Sequence, residues 1–250
     1  MPGECTVVLL RHGESVYNAA QRFTGLLDPP LTRHGVCGAG SAAQQLRRAG
    51  LEPTVIISSP LERAMRTADL VRTALGIADV PVVGAWQLAE RDYGTLTGMA
   101  KRHVLERFGA DAFTTWRRTV DGAPPPASPR QIATWECMPP PAVAEHLEVG
   151  AGESSREVIG RVRPWWDQTR DRLPPGACAL LVAHGNSLRA LRAILERLDD
   201  ATLTGVNIPP TQPWVATLDG ATPTAPVHGR YLDVPAAKAG IRRIEAEGGT

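Results

Sequence analysis

Apolar and polar positions divide the chain into alternating strand-like and helix-like segments. Val7-Val8-Leu9-Leu10 is a block of strand formers that gives way at once to Arg11, His12, Gly13 and Glu14. Strands that end in a core normally hand over to Gly, Asn, Asp or Pro, so an Arg-His pair at that point is unusual. From residue 31, LTRHGVCGAGSAAQQLRRAG takes up helical spacing, with Thr32 as N-cap, Val36, Ala39, Ala43 and Leu46 inward, and Gly50 as the stop. PTVIISSP at 53–60 predicts a short strand, and LERAMRTADLVRTALG at 61–76 predicts a helix with Leu61, Met65, Ala68, Val71 or Arg72, and Leu75 inward. PVVGAWQL at 81–88 reads as another strand region, and 96–119 as helical. The proline-dense stretch 122–141 reads as a surface excursion with no element of its own.

Helical spacing returns at Glu153, with Val158, Val162, Trp165, Trp166 and Leu173 inward and a bend expected at Pro164. A continuous apolar strand at 178–183 then leads into a helix built on Leu188, Leu191, Ile194, Leu195 and Leu198. Strands alternating with helices predict an α/β fold of three layers, a mainly parallel central sheet flanked by helices on both faces. The expected organisation is one domain over 1–250, with the excursion at 122–141 and a C-terminal tail at 236–250 that is free to move. Functional side chains in such sheets gather beyond the carboxyl ends of the strands.

Composition narrows the function classes. The 250 residues are 43% hydrophobic and 21% charged, and 27 basic against 26 acidic side chains leave a net charge of +1. That balance argues against nucleic acid or a membrane surface as partner. The start of the chain carries no signal-peptide pattern, and no stretch approaches ~18 continuous apolar residues, so a soluble, cytoplasmic protein is expected. Cys5, Cys37, Cys137 and Cys178 are widely spread and read as free, mostly buried thiols. His12, His34, His103, His146, His184 and His228 show no i, i+4 pair, so no metal site is expected. A homo-oligomer is left open.

Two segments share a local pattern. LLRHGES at 9–15 and LVAHGNS at 181–187 each place His-Gly, a polar residue and Ser after an apolar strand. In one parallel sheet His12 and His184 then stand on the same rim, with glycines that let backbone approach a ligand and with Ser15 and Ser187 as caps of the following helices. Helix starts there favour an anion. Arg63, in the first turn of a helix after another strand, opposes the helix dipole unless an anion is bound. Arg11, Arg63, His12 and His184 can thus converge on one tetrahedral anion, with arginine forks matched to phosphate oxygens. Positive neighbours keep His12 neutral, and a neutral imidazole can attack phosphorus while the cations stabilise the equatorial oxygens without a metal. Glu90, after the 81–88 strand region, is the candidate acid for the leaving oxygen, since a nearby phosphate dianion favours its protonated form. Glu14 is a rival whose expected role is first-turn helix stabilisation.

Arg11-His12-Gly13-Glu14 resembles the signature of the histidine phosphatase superfamily. RHGESVYNAAQRFTG, SSPLERA, ERDYG, WRR at 116–118, HGNSLRAL and NIP at 207–209 are similar to the cofactor-dependent phosphoglycerate mutases, in the same order, over about residues 6 to 234. The resemblance implies that His12 carries the phospho group, that Glu90 donates and accepts the proton, and that His184 steadies the transition state. It also implies contacts to the phospho group or to phosphoglycerate from Arg11, Asn18, Thr24, Gly25 and Arg63, and from Arg91, Tyr93, Lys101, Arg117, Arg118, Gly185 and Asn186. The reaction implied is interconversion of 3-phosphoglycerate and 2-phosphoglycerate in glycolysis and gluconeogenesis, primed by 2,3-bisphosphoglycerate, with no metal. An acid bearing both carboxylate and phosphate needs a second layer of positive charge, which Arg91, Lys101, Arg117 and Arg118 supply.

Several positions depart from the family's wording: Leu26 where Trp is common, Met99-Ala100 where Leu-Asn is usual, Thr211-Gln212 where Thr-Gly is expected, and Ser155 for a leucine. They keep two alternatives in view, a metal-independent phosphatase for another small phosphorylated metabolite and a binding module without turnover. In mutases a C-terminal tail can cover the site, and the segment AAKAGIRRIEAEGGT stands where such a tail would.

Overall fold

The computed structural model describes residues 4–218 and 225–247. Residues 248–250, the end of the tail considered above, lie outside them. In chain order the elements are β1 (Cys5–Arg11), α1 (Val16–Ala19), α2 (Arg33–Arg48), β2 (Val55–Ser58), α3 (Glu62–Leu75) and β3 (Val82–Gly84). There follow α4 (Lys101–Arg118), α5 (Pro129–Ile132), α6 (Pro141–Ala144), α7 (Ser155–Arg170), β4 (Cys178–Ala183) and α8 (Gly185–Glu196). The chain continues through α9 (Asp200–Gly205), β5 (Trp214–Leu218), β6 (Arg230–Tyr231) and α10 (Val234–Ala246).

The strands form a 6-stranded sheet in the order β3-β2-β4-β1-β5-β6. β3, β2, β4 and β1 run parallel, whereas β5 is antiparallel to β1 and β6 to β5. Val7 to Leu10 are all buried, so the period of two sorts layers instead of separating core from solvent. Val7 and Leu9 pack with Val158, Val162 and Trp166 of α7 and Leu188 and Leu191 of α8. Val8 and Leu10 pack on the opposite face with Ala39, Ala43 and Leu46 of α2 and Ala64, Ala68 and Val71 of α3. The expected three-layer, mainly parallel fold is therefore present.

The register of the central pair positions the site. Leu9 lies opposite Leu181 and Arg11 opposite Ala183. His12 and His184 consequently leave the sheet side by side. Ser58 of β2 lies opposite Val182, which brings Ser59 to the same rim.

The differences from the sequence reading have local causes. β5 and β6 were not expected; they are short strands, and β6 spans only Arg230–Tyr231. The 81–88 segment keeps three strand residues before a 3-10 turn at Trp86–Leu88. Helix α4 starts at Lys101, later than expected, and Gly109 (φ 81°) interrupts it. The 122–141 stretch contains α5, capped by Ser128 and entered through Pro129. Val36 faces outward, and the inner stripe of α3 is Ala64, Thr67, Ala68 and Val71 without Met65. Helix α7 runs through Pro164 to Arg170. Of the four cysteines only Cys178 is buried, and Cys37 and Cys137 are exposed, because both sit off the sheet. Residues 236–246 belong to α10, which Asp233 caps. Among the described residues, no helix is long and apolar enough to cross a membrane.

Candidate active site

His12 is 2% exposed, and its Nδ1 lies 2.6 Å from the Gly13 carbonyl oxygen. A carbonyl only accepts, so Nδ1 carries the proton and the Nε2 lone pair is left for chemistry. Burial first, then the positive charges of Arg63 and Arg11, hold this imidazole well below its usual pKa, against a smaller opposing effect of the Gly13 bond. His184 lies beside it, with ring centroids 4.8 Å apart and the two rings tilted by 60°. Its Nε2 is 2.8 Å from Ser59 Oγ, which already accepts the Leu61 N–H at 3.3 Å. A hydroxyl both donates and accepts, so the direction of this bond follows the His184 tautomer. The His184 Nδ1 is buried without a hydrogen-bond partner. Burial, then Arg63, keeps His184 well below the usual pKa as well.

Arg63 is 1% exposed and reaches back across 36 and 38 residues to donate to the carbonyls of Leu27 (2.6 Å) and Gly25 (2.9 Å). Its Nε has no partner, and burial lowers its pKa to about 10. Gly25 has φ 54°, a left-handed conformation that turns its carbonyl to Arg63 and that glycine adopts at little cost. Arg11 donates to the Ile208 carbonyl at 2.8 Å. Thr24 Oγ1 is another buried polar atom without a partner. These orphaned atoms, together with guanidinium and imidazole donors, suit a phosphate-sized anion.

Glu90 is 7% exposed, and its Oε1 accepts from the Arg91 N–H (2.8 Å), the Asn186 N–H (3.2 Å) and the Asn186 side-chain amide (3.1 Å). Anchoring Oε1 leaves Oε2 for the cavity that Glu90 lines. Asn186 also donates to Tyr93 Oη at 3.0 Å. The first turn of α8 thus holds the Glu90 carboxylate, where the sequence reading had placed a ligand anion. Ser187 is the third helical residue and accepts the His184 N–H at 3.2 Å; His184 itself is the N-cap. Ser15 caps α1 as expected, and its N–H and hydroxyl both donate to Asn18 Oδ1. Gly13 serves packing: a Cβ there would meet the Gly35 carbonyl of α2.

A cavity of about 50 Å³ brings together Arg11, His12, Asn18, Thr24, Gly25, Arg63, Glu90, Tyr93, Lys101, Arg117 and Asn186. His184 is not in its wall; it lies against the His12 ring beside it. Arg91, Arg118 and Gly185 are not in the cavity wall either. Arg91 donates to the Trp116 carbonyl at 2.6 Å and lies over Tyr93, and Arg118 donates to the Thr204 carbonyl at 3.1 Å. Half of the expected second layer of positive charge, Lys101 and Arg117, therefore faces the cavity. Glu14 accepts from Thr32 Oγ1 at 2.7 Å and also stands outside it; it precedes α1 instead of lying in a helical first turn. Among the departures, Leu26 packs in the core with Leu61, Ala89 and Val143.

Other site residues were missed by sequence reasoning. Arg161 of α7 donates to the carbonyls of Gln87 (2.5 Å), Ala89 (3.1 Å) and Glu90 (3.1 Å) and pairs with Glu153 at 2.8 Å. Glu153 in turn accepts the Asp92 N–H at 2.9 Å. Thr67 accepts the Gly13 N–H at 3.0 Å and donates to the Arg63 carbonyl at 2.7 Å. Glu247, just past α10, pairs with Lys101 at 2.9 Å, and its carbonyl accepts from Arg117 at 3.0 Å. Only Ser59 and Glu153 had a signal, Ser59 inside the quoted SSPLERA and Glu153 as the residue at which helical spacing returns. Among the described residues, no group of three or more His, Cys, Asp or Glu side chains is placed to hold a metal ion.

Comparison with known proteins places this geometry among relatives. The family described as histidine phosphatase superfamily (branch 1) matches residues 7–228. A 2,3-bisphosphoglycerate-dependent phosphoglycerate mutase of Thermobifida fusca is 38% identical over 97% of this chain and 99% of its own. The enzyme of that name from Nocardioides sp. is 39% identical over 97% and 98%. Among solved structures, mycobacterial glucosyl-3-phosphoglycerate phosphatase superposes with a TM-score of 0.67 at 26% identity, covering 90% of this chain and 96% of that one. A protein titled mycobacterial hydrolase 1 reaches a TM-score of 0.68 at 25% identity, over 92% and 97%.

Proposed function

This chain belongs to the histidine phosphatase superfamily, and from that premise we propose that it interconverts 3-phosphoglycerate and 2-phosphoglycerate through a phospho group carried on His12. The observation that carries the reading is the His12 tautomer: Nδ1 is committed to the Gly13 carbonyl at 2.6 Å, and Nε2 is presented to a cavity shared with Arg11, Arg63 and Glu90.

Nε2 attacks phosphorus opposite the ester oxygen, so an N–P bond forms as the O–P bond breaks. Arg11 and Arg63, each already fixed by a backbone carbonyl, face the equatorial oxygens, and His184, in the tautomer protonated at its unpartnered Nδ1, donates to the transferring phospho group. Glu90 gives a proton from Oε2 to the leaving oxygen and takes one from the hydroxyl that next attacks the phosphohistidine. Bound 2,3-bisphosphoglycerate supplies the phospho group that charges His12 at the outset. Lys101 and Arg117 would hold the carboxylate of the primer or substrate. That they suit a carboxylate is supported by Glu247, whose carboxylate lies on Lys101 at 2.9 Å.

A second reading, hydrolysis of a phosphorylated metabolite, is favoured by the solved neighbours titled phosphatase and hydrolase. Purified protein given 3-phosphoglycerate, with and without the primer, separates the two. Primer-dependent 2-phosphoglycerate is the expected result; no such product, with brisk phosphate release from another phosphorylated metabolite, would establish the phosphatase.

A further inference from the structure

Thr67 carries a buried hydroxyl that packing does not explain. It is 0% exposed on the inner stripe of α3, where its apolar neighbours are Ala64, Ala68 and Val71. Valine there would fill nearly the same space and bring no polar atom to satisfy, so the hydroxyl is retained against the character of its surroundings. A threonine inside a helix can turn its hydroxyl back to the carbonyl four residues earlier, and here Oγ1 donates to the Arg63 carbonyl at 2.7 Å. That bond orients the hydroxyl and leaves its oxygen to accept from outside the helix. The Gly13 N–H donates to it at 3.0 Å, across 54 residues of chain.

Gly13 lies where the regular support of the strand runs out. His12 N–H still donates to the Ala183 carbonyl at 3.0 Å, continuing the β1–β4 pairing. The two peptide groups that follow bear on the nucleophile. Thr67 holds the one that enters Gly13, and the one that leaves it places its carbonyl 2.6 Å from His12 Nδ1. Glycine has no Cβ to restrict this backbone, and no larger residue fits, because a Cβ at Gly13 would meet the Gly35 carbonyl. The Thr67 hydroxyl therefore supplies a restraint that no side chain at position 13 could. The same oxygen grips the backbone of Arg63, whose guanidinium is held by the Leu27 and Gly25 carbonyls. One atom thus ties the loop of the nucleophile to the first turn of α3.

We propose that Thr67 is a positioning residue for phosphoryl transfer: by holding the Gly13 peptide it keeps the Gly13 carbonyl on His12 Nδ1, and so keeps the Nε2 lone pair free beside Arg63. The proposal rests on the phosphoryl-transfer reading of His12 and deepens it. Without the hydroxyl, the Gly13 N–H is left buried and unpaired, and rotation of the segment toward another acceptor takes the Gly13 carbonyl away from Nδ1. The neutral ring then divides between its two tautomers, and the one protonated at Nε2 has no lone pair there to attack phosphorus.

Thr67→Val removes the hydroxyl and keeps the branched shape, whereas Thr67→Ser keeps the hydroxyl. Phosphorylation of His12 by 2,3-bisphosphoglycerate is followed in a single turnover. Nitrogen NMR of protein with isotope-labelled histidines reports which ring nitrogen of His12 is protonated, the signal being identified by its loss in His12→Asn. Thr67→Val should phosphorylate about tenfold more slowly, with a half-saturating primer concentration within about twofold of wild type, and should gain a signal from the Nε2-protonated ring. Thr67→Ser should match wild type in all three. Should Thr67→Val fail to fold, Thr67→Ala set against Thr67→Ser makes the same comparison, since alanine suits a helix. A wild-type rate or an unaltered ring signal in the variant without the hydroxyl overturns the proposal, as does equal slowing in Thr67→Ser or a melting temperature that falls alone. If wild-type protein takes no phospho group from the primer, the reading of His12 fails instead, and the ring signal still decides whether Thr67 sets the tautomer.

Discussion

His12 works through two neighbours that do different jobs. Gly13 fixes which ring nitrogen is free, and burial with Arg63 and Arg11 keeps the ring uncharged and nucleophilic. Replacing it by Asn removes the nucleophile, so His12→Asn should yield no acid-labile phosphoprotein after incubation with labelled primer. Glu90→Gln keeps the hydrogen-bonding shape but has no proton to give, and it should lower kcat by roughly 100-fold, read in a single-turnover transfer assay. Turnover unchanged in this variant would move the acid role to another group. The candidates His12, His184, Arg11 and Arg63 were legible because strand ends and charge type are local properties of the chain. The partners that position them were not: Leu27 and Gly25 hold Arg63 through backbone carbonyls, which every residue possesses and no side-chain pattern advertises.

Helix α7 and the loop it grips show how distant segments are coupled to the chemistry. Arg161 lies 71 residues from Glu90 in the chain and donates to its carbonyl, to two neighbouring carbonyls and to Glu153. It positions Glu90 without facing the cavity. Lysine keeps the charge but cannot form the same planar fork. Arg161→Lys should therefore lower kcat about tenfold while KM for 3-phosphoglycerate and the melting temperature change little. A parallel rise in KM, or a melting temperature falling with kcat, would make Arg161 merely structural. The amphipathic spacing of α7 was readable, and Val158, Val162 and Trp166 do face the core. What Arg161 grips was hidden, because a charged residue beside an apolar stripe looks the same whether it meets solvent or a loop. The short β5 and β6 were missed for a related reason: β5 is a strand because β1 offers an edge and β6 because β5 then does, not because their own residues insist on it.

Stability of the folded chain should carry the imprint of the site. His12 and His184 are both held below the usual histidine pKa by burial and then by Arg63, so the folded form resists protonation that the unfolded chain accepts. Above about pH 6.5 both rings are neutral in either state and no penalty arises; below it the unfolded chain gains protons first. Folding free energy should fall with falling pH by at most about 1.4 kcal/mol per pH unit for each ring. Asp28 and Asp92, raised by burial, act with the opposite sign, so the histidine part is isolated by comparing variants with wild type at matched pH. Urea unfolding of His184→Asn between pH 7.5 and 5.5 should show a flatter dependence than wild type; equal slopes would remove His184 as a contributor. The sequence by itself determined the α/β order, the two apolar layers either side of β1 and β4, and the residue types brought to the rim, because periodicity and strand-end position are encoded within a dozen neighbouring residues. Only the tertiary structure decided which cations share a cavity. Lys101 and Arg117 enter it while Arg91 and Arg118 turn to the carbonyls of Trp116 and Thr204, and Glu247 arrives from the far end of the chain to pair with Lys101. Long side chains settle according to the nearest acceptors in space, and those are set by packing between segments far apart in sequence.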